Sequence, residues 1–163
     1  MNLNNAIIVP ISKKERLLEC FNKKVYGFSD AIFRRVRKNL LDITPGSNIY
    51  LRYKDNMDII LGNFVVTEKP KMLTATETYG LIQKVEIRED SKNLLPWWIG
   101  EGFSWLIFFE IENVINYIDI TKDYFKNSKL NILEYQILSS EVNNTLRGLI
   151  DSKGNNIKDI FNI

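Results

Sequence analysis

Residues 23–46, KKVYGFSDAIFRRVRKNLLDITPG, constrain the fold of this chain more than any other stretch. The glycine within Val25-Tyr26-Gly27-Phe28 admits backbone conformations closed to other residues, so this segment reads as a loop or short strand. Ser29 or Asp30 can then cap a helix in which Ile32, Phe33, Val36 and Leu40 recur at helical spacing. Arg34, Arg35, Arg37 and Lys38 fall on its wet side. Thr44-Pro45-Gly46-Ser47 ends that helix and turns the chain into a strand. An aromatic turn, a basic helix and a strand therefore follow one another directly.

The flanking segments supply a sheet. Ala6–Ile11 is a β-branched apolar run, expected as a buried strand ending at or near Pro10. Ser12 and Glu15 fit a capping box for a short helix with Leu17, Leu18 and Phe21 on its apolar stripe. Strands at 49–53 and 59–67 around a turn at 54–58 form a hairpin, and Gly62 predicts a bulge or sharp bend in its second strand. Residues 73–79 read as an irregular crossing, 81–88 as a strand, and 92–102 as a loop carrying Trp97 and Trp98. The run 105–114 is a strand with Trp105, Ile107, Phe109 and Ile111 on one face and Leu106, Phe108 and Glu110 on the other. Beyond Tyr117 the pattern turns helical, with Ile120, Tyr124 and Phe125 in one segment. A second segment carries Tyr135, Leu138, Val142, Leu146 and Leu149. The expectation is an α+β fold with one domain over residues 1–150 and a polar tail or start of a linker at 151–163.

Composition removes most catalytic chemistry. The 163 residues include no histidine and one cysteine, which excludes His general bases, Ser-His-Asp and Cys-His nucleophiles, and Cys/His zinc sites. Cys20 lies in an apolar run and reads as a small core residue in a reducing, hence cytoplasmic, compartment. No segment resembles a signal peptide or approaches the roughly 18–20 apolar residues of a membrane span, so no membrane partner is expected. The carboxylates lack any metal-site or glycosidase spacing, and no Walker-type loop is present. We therefore expect no catalytic residues, no metal and no cofactor, with an enzyme working through carboxylates as the outlying alternative. Charges cancel to +2, so attraction to nucleic acid would come from local clusters.

Two clusters suit nucleic acid. A base outside a duplex is held by stacking on flat side chains, and Tyr26, Trp97, Trp98, Trp105 and Phe108 could supply such a slot. For Trp105 and Phe108 the core of a central strand is the favoured reading, which leaves Tyr26 and the Trp97-Trp98 pair as the better candidates. Lys23, Lys24, Arg34, Arg35, Arg37 and Lys38 could contact phosphates, or simply form a solvated helix face.

Four motifs in this order carry a family resemblance over roughly residues 6–150. They are Val25-Tyr26-Gly27-Phe28, Pro45-Gly46-Ser47-Asn48-Ile49-Tyr50, the G-x-F-x-V-x-x-x-P strand from Gly62 to Pro70, and Phe109-Glu110-Ile111-Glu112-Asn113-Val114. Together they resemble the EVE domain of the PUA-like superfamily, which is related to the YTH readers of N6-methyladenine. The resemblance implies a partly closed β-barrel flanked by helices that accepts one flipped modified base, N6-methyladenine first and 5-methylcytosine second. It implies a first cage aromatic at Tyr26, where the family more often has tryptophan, and a second at Phe108, with Trp105 or Trp98 as substitutes. Edge-reading groups would fall on Gly27, Phe28 and Ser29. A stacked Tyr26 would add roughly 1–3 kcal/mol to binding and little to folding. EVE-like domains also resemble the N-terminal specificity domains of some McrB-type modification-dependent restriction systems. That implies modified DNA ahead of RNA as ligand, with a C-terminal GTP-hydrolysing AAA+ motor and a nuclease subunit as partners. The alternative is a PUA-type domain reading structured RNA without a modified base.

Overall fold

The computed structural model describes residues 5–72 and 103–161. Strand β1 (Ala6–Ile11) is apolar on both faces and lies parallel to β3 (Asn48–Lys54), with Ala6 opposite Asn48 and Ile11 opposite Tyr53. Burial on both faces is what a parallel strand requires. The strand ends at Ile11, one residue past Pro10, close to the expected end. The Pro10 carbonyl points away from β3, so the missing N–H falls on the same free edge and removes no ladder bond.

Helix α1 (Lys14–Lys23) begins after Lys13, with no side-chain cap. The expected Ser12–Glu15 capping box does not form, because Ser12 precedes the cap position by one residue. Leu17, Cys20 and Phe21 face the core, and Lys24, at φ 55°, closes the helix with its N–H on the Cys20 carbonyl. The aromatic-glycine segment is then a buried strand, β2 (Val25–Ser29), running directly into α2 (Asp30–Leu41). The Ser29 hydroxyl accepts from Ile32 N at 3.2 Å, the N-cap expected from the sequence.

The hairpin of β3 and β4 (Asp58–Val66) forms as expected. A two-point bond fastens its turn end, with Arg52 donating to both carboxylate oxygens of Asp58 at 3.0 and 2.9 Å. The bulge also forms, where β4 meets β6 (Phe103–Asp119): the register slips between Gly62 and Phe64, and Asn63 takes φ 77°. Gly62 lies under a helix. A Cβ there would come within 2.7 Å of Ile150 Cδ1.

Strand β6 is longer than its apolar run because it serves two partners. Its first part pairs with β2 and with β5 (Lys71–Met72), and its second with β4 as far as Ile59–Asp119. Helical structure therefore starts later than expected, at α3 (Asp123–Ser128). Tyr135 and Leu138 are not helical: Leu138 belongs to β7 (Ile137–Leu138), antiparallel to β1. Their helical spacing is continued by α4 (Ser140–Lys153), which starts at a Ser139 cap that accepts from Val142 N. Beyond residue 150 the chain does not trail away as a polar tail. Helix α4 continues to Lys153, β8 (Asn155–Asn156) pairs with β6, and Ile157 and Phe161 are buried, Phe161 edge-on to Tyr53 at 5.6 Å.

The described strands run in the order β2-β6-β4-β3-β1-β7, with β5 and β8 on β6. The fold is α+β, and its hydrogen-bonded path is open, so the described strands do not close a ring. One core lies between the sheet and α1 and α2. A second lies under α4, where Leu146 and Ile150 meet Ile8, Tyr50 and Ile60. A buried polar chain ties α4 down, Tyr50 Oη donating to Asn143 Oδ1 at 2.5 Å and Asn143 Nδ2 to Asn48 Oδ1 at 2.9 Å.

Asn143→Ala strands both Tyr50 and Asn48 in an apolar setting. We expect a loss of about 2–4 kcal/mol of unfolding free energy in urea titrations, with binding properties intact because α4 lies away from the site described next.

Candidate functional site

The open path leaves a seam where the β2 end approaches β1 and the residues before β7. Side chains cross this seam instead of a backbone ladder. Tyr26 Oη donates to the Pro10 carbonyl at 2.8 Å and lies 2.6 Å from Tyr135 Oη. Tyr135 N donates to the Ile8 carbonyl at 2.8 Å, and Asn39 of α2 donates to the Tyr135 carbonyl at 2.9 Å. Tyr135 itself is at φ 60°, a conformation costly for a residue with a Cβ and retained where surrounding bonds fix it.

A cavity of about 200 Å³ lies against this seam. Pro10, Ile11 and Ser12 line it from the end of β1, Arg16 from α1, Tyr26, Gly27 and Phe28 from β2, Ile32 from α2, and Tyr135 from the loop before β7. At ~30 Å³ per water this is on the order of seven water volumes, room for one planar ring system. Its walls are largely apolar, and the lining residues with polar side chains are few: Arg16, Ser12 and the two tyrosines. Such a composition suits a flat ligand held by apolar contact and oriented by a small number of hydrogen bonds.

The cavity thus brings together Tyr26, Gly27 and Phe28 of the expected pocket. Ser29 lies at its edge in the chain, with its hydroxyl already committed to the α2 cap. Tyr26 differs from the expectation in one respect. It is only 4% exposed and belongs to the main core, so it borders the cavity while also holding the fold together. Phe108 is not a wall of this cavity. It pairs with Val25, whereas Tyr26 pairs with Ile107, and alternation along the strand puts Phe108 on the opposite face from Tyr26. Trp105 is on the correct face but is covered. Its ring stacks on Phe33 at 3.6 Å and on Phe28 at 6.3 Å, and its Nε1 donates to Asp30 Oδ1 at 3.2 Å. Trp98, and with it Trp97, lies outside the described residues.

The expected phosphate-contacting cations divide similarly. Lys24 pairs with Glu110 and Arg34 with Asp30, each at 2.8 Å, and Lys23 is half-buried. Arg35, Arg37 and Lys38 are exposed, with no ion pair to any described residue. Arg35 is near enough to Tyr135 for its charge to act on the phenol. Among the described residues no group of three or more His, Cys, Asp or Glu could hold a metal ion, and no helix is long and apolar enough to cross a membrane. Cys20 is buried, and burial pushes its thiol well above the usual range, so it acts as a core residue.

Sequence reasoning missed Tyr135, Arg16 and the end of β1. Arg16 stands in an ordinary amphipathic helix, and nothing in the local pattern marks it as facing a cavity. Tyr135 matched a helical period that the chain does not adopt.

No protein-family model matches the sequence, and no curated protein does. Solved structures do. The fold is similar to the YTH domain of the Zygosaccharomyces rouxii MRB1 protein in complex with N6-methyladenosine RNA. There the identity is 11% over 93% of this chain and 92% of that chain, with a TM-score of 0.56. It is also similar to the Pho92 YTH domain in complex with m6A, at 10% identity over 96% of this chain and 93% of that chain, with a TM-score of 0.55. At these identities the likeness is one of fold, and the chain has a YTH-like fold.

Two measurements test the seam. Tyr26→Ala removes a buried ring and should cost about 3–5 kcal/mol of stability, whereas Tyr26→Phe loses only the hydroxyl bonds and should cost about 1 kcal/mol. Both phenols titrate late: burial, then the neighbouring Tyr135, raises Tyr26 well above 10, and burial pushes Tyr135 up to about 12. A phenol whose folded pKa exceeds its unfolded value contributes full stability below about pH 10, the unfolded value. That contribution declines as pH rises through the folded value. Urea midpoints should therefore fall between about pH 10 and 12, and less steeply in Tyr135→Phe.

Proposed function

We propose that the chain is a nucleic-acid-binding module that accepts one methylated base, N6-methyladenine first, into the cavity bounded by Tyr26, Phe28, Ile32 and Tyr135. The observation that carries this reading is a largely apolar cavity of single-base size at the seam of a YTH-like fold. Exposed Arg35, Arg37 and Lys38 lie on the helix that follows β2 directly. A methyl group adds apolar contact and removes a donor that a largely apolar cavity would have to satisfy. Extruding the base costs a few kcal/mol, which contact in the cavity and the cations offset. The reaction class is binding, with no catalysis by this chain.

RNA is the favoured ligand, because the two YTH domains of similar fold were crystallised with N6-methyladenosine RNA in one case and m6A in the other. The EVE resemblance of the Tyr26 and Pro45-Gly46 motifs favours a second reading: a DNA-specificity module of a modification-dependent restriction system. A GTP-hydrolysing motor and a nuclease would then act in partnership, in the cytoplasm, on an EVE-type partly closed barrel.

Fluorescence anisotropy with matched RNA and DNA oligonucleotides, each carrying adenine or N6-methyladenine at one position, decides between them. The methylated RNA should bind at least about tenfold more tightly than the unmodified one, a difference of ~1.4 kcal/mol. A preference confined to DNA would transfer the assignment to the second reading, and equal binding of all four would end both. Replacing Arg35 and Arg37 by Glu should weaken every oligonucleotide alike and flatten the salt dependence by about two.

A further inference from the structure

The hydrogen bonds at the seam fix the direction in which protons point. The Pro10 carbonyl can only accept, and two oxygens 2.8 Å apart with no proton between them would repel, so the single Tyr26 proton lies on that bond. Tyr26 then has no proton left for Tyr135. The 2.6 Å contact between the two phenols must use the proton of Tyr135, with Tyr26 accepting. The chain of donation runs from Tyr135 to Tyr26 to Pro10 and ends there. Tyr135 has consequently spent its only proton, and its oxygen retains acceptor capacity alone. Pro10, Tyr26 and Tyr135 all border the cavity. Burial keeps the phenols protonated at neutral pH, and the left-handed backbone of Tyr135, held by Asn39 and Ile8, fixes the ring against the seam.

We infer that Tyr135 is a specificity-determining residue of the cavity, an obligate hydrogen-bond acceptor that selects a base presenting an N–H toward it. This rests on the reading of the cavity as a base site. An acceptor complements the amino group shared by adenine and cytosine, including adenine carrying a single N6-methyl group. A keto oxygen or an ether oxygen at the amino position would face the lone pairs of Tyr135 and be rejected.

The test uses RNA oligonucleotides with adenine, N6-methyladenine or 6-methoxypurine at one position. The last replaces the N6–H by an ether oxygen at almost unchanged shape. The unsubstituted chain should bind N6-methyladenine about 5–30-fold more tightly than 6-methoxypurine, the range for a hydrogen bond replaced by opposed acceptors. Tyr135→Phe should collapse that ratio to within about threefold by weakening the N6-methyladenine complex. Tyr26→Phe removes the acceptor that occupies the Tyr135 proton, so Tyr135 can turn and donate. Binding of 6-methoxypurine should then rise in absolute terms, a gain that loss of packing would not produce. Methyl-selective binding in which neither variant alters the ratio overturns this inference alone. Failure of the unsubstituted chain to prefer N6-methyladenine over adenine overturns the proposed function, and this inference with it.

Discussion

The hydroxyl of Tyr26 joins two strand edges that no backbone ladder connects. Laddered strands lie about 4.8 Å apart, which leaves no room for a ligand between them. A phenol reaching from β2 to the Pro10 carbonyl holds the edges together at side-chain length instead, and the cavity beside it is the space this longer connection keeps open. Tyr135 completes the join from the other end of the sheet path. Stability and concavity therefore come from the same two bonds.

Away from the seam, a row of nearly parallel rings connects the cavity to the basic helix. Tyr26 is inclined 25° to Phe28, Phe28 18° to Trp105, and Trp105 14° to Phe33 on α2. Trp105 also donates to Asp30, whose other oxygen holds Arg34. The indole thus fixes how α2 leaves β2, and with it the direction in which Arg35, Arg37 and Lys38 project. An aromatic residue that reads from the sequence as a wall of the pocket instead sets the attitude of the charged helix next to it.

How much of this was legible depended on whether the cause was local. Ser29 capping α2, the β3–β4 hairpin and the bulge after Gly62 each follow from a few adjacent residues, and each is present. The choice of Phe108 as second wall failed on pairing. The opposition of Tyr26 to Ile107 is set by a strand eighty residues away, and a shift of one residue reverses every face. Tyr135 was out of reach for a different reason. Its helical spacing with Leu138 and Val142 is coincidental, and the bonds that hold it in a left-handed turn come from Asn39 and Ile8. The burial of Tyr26 was likewise unreadable, because an aromatic beside a glycine looks the same whether its hydroxyl meets solvent or a carbonyl across a seam.

Pro10 gives the seam a property beyond ligand binding. On the free edge of β1, the residue whose carbonyl receives Tyr26 has no N–H beside it, so that edge offers an acceptor already taken and no donor. An open sheet path normally exposes a template on which another chain can add a strand. Here the terminal stretch of that template is chemically blank. Self-association by edge pairing is disfavoured at the very gap the fold must keep open, and a flat ring can enter where an extended backbone would find nothing to pair with.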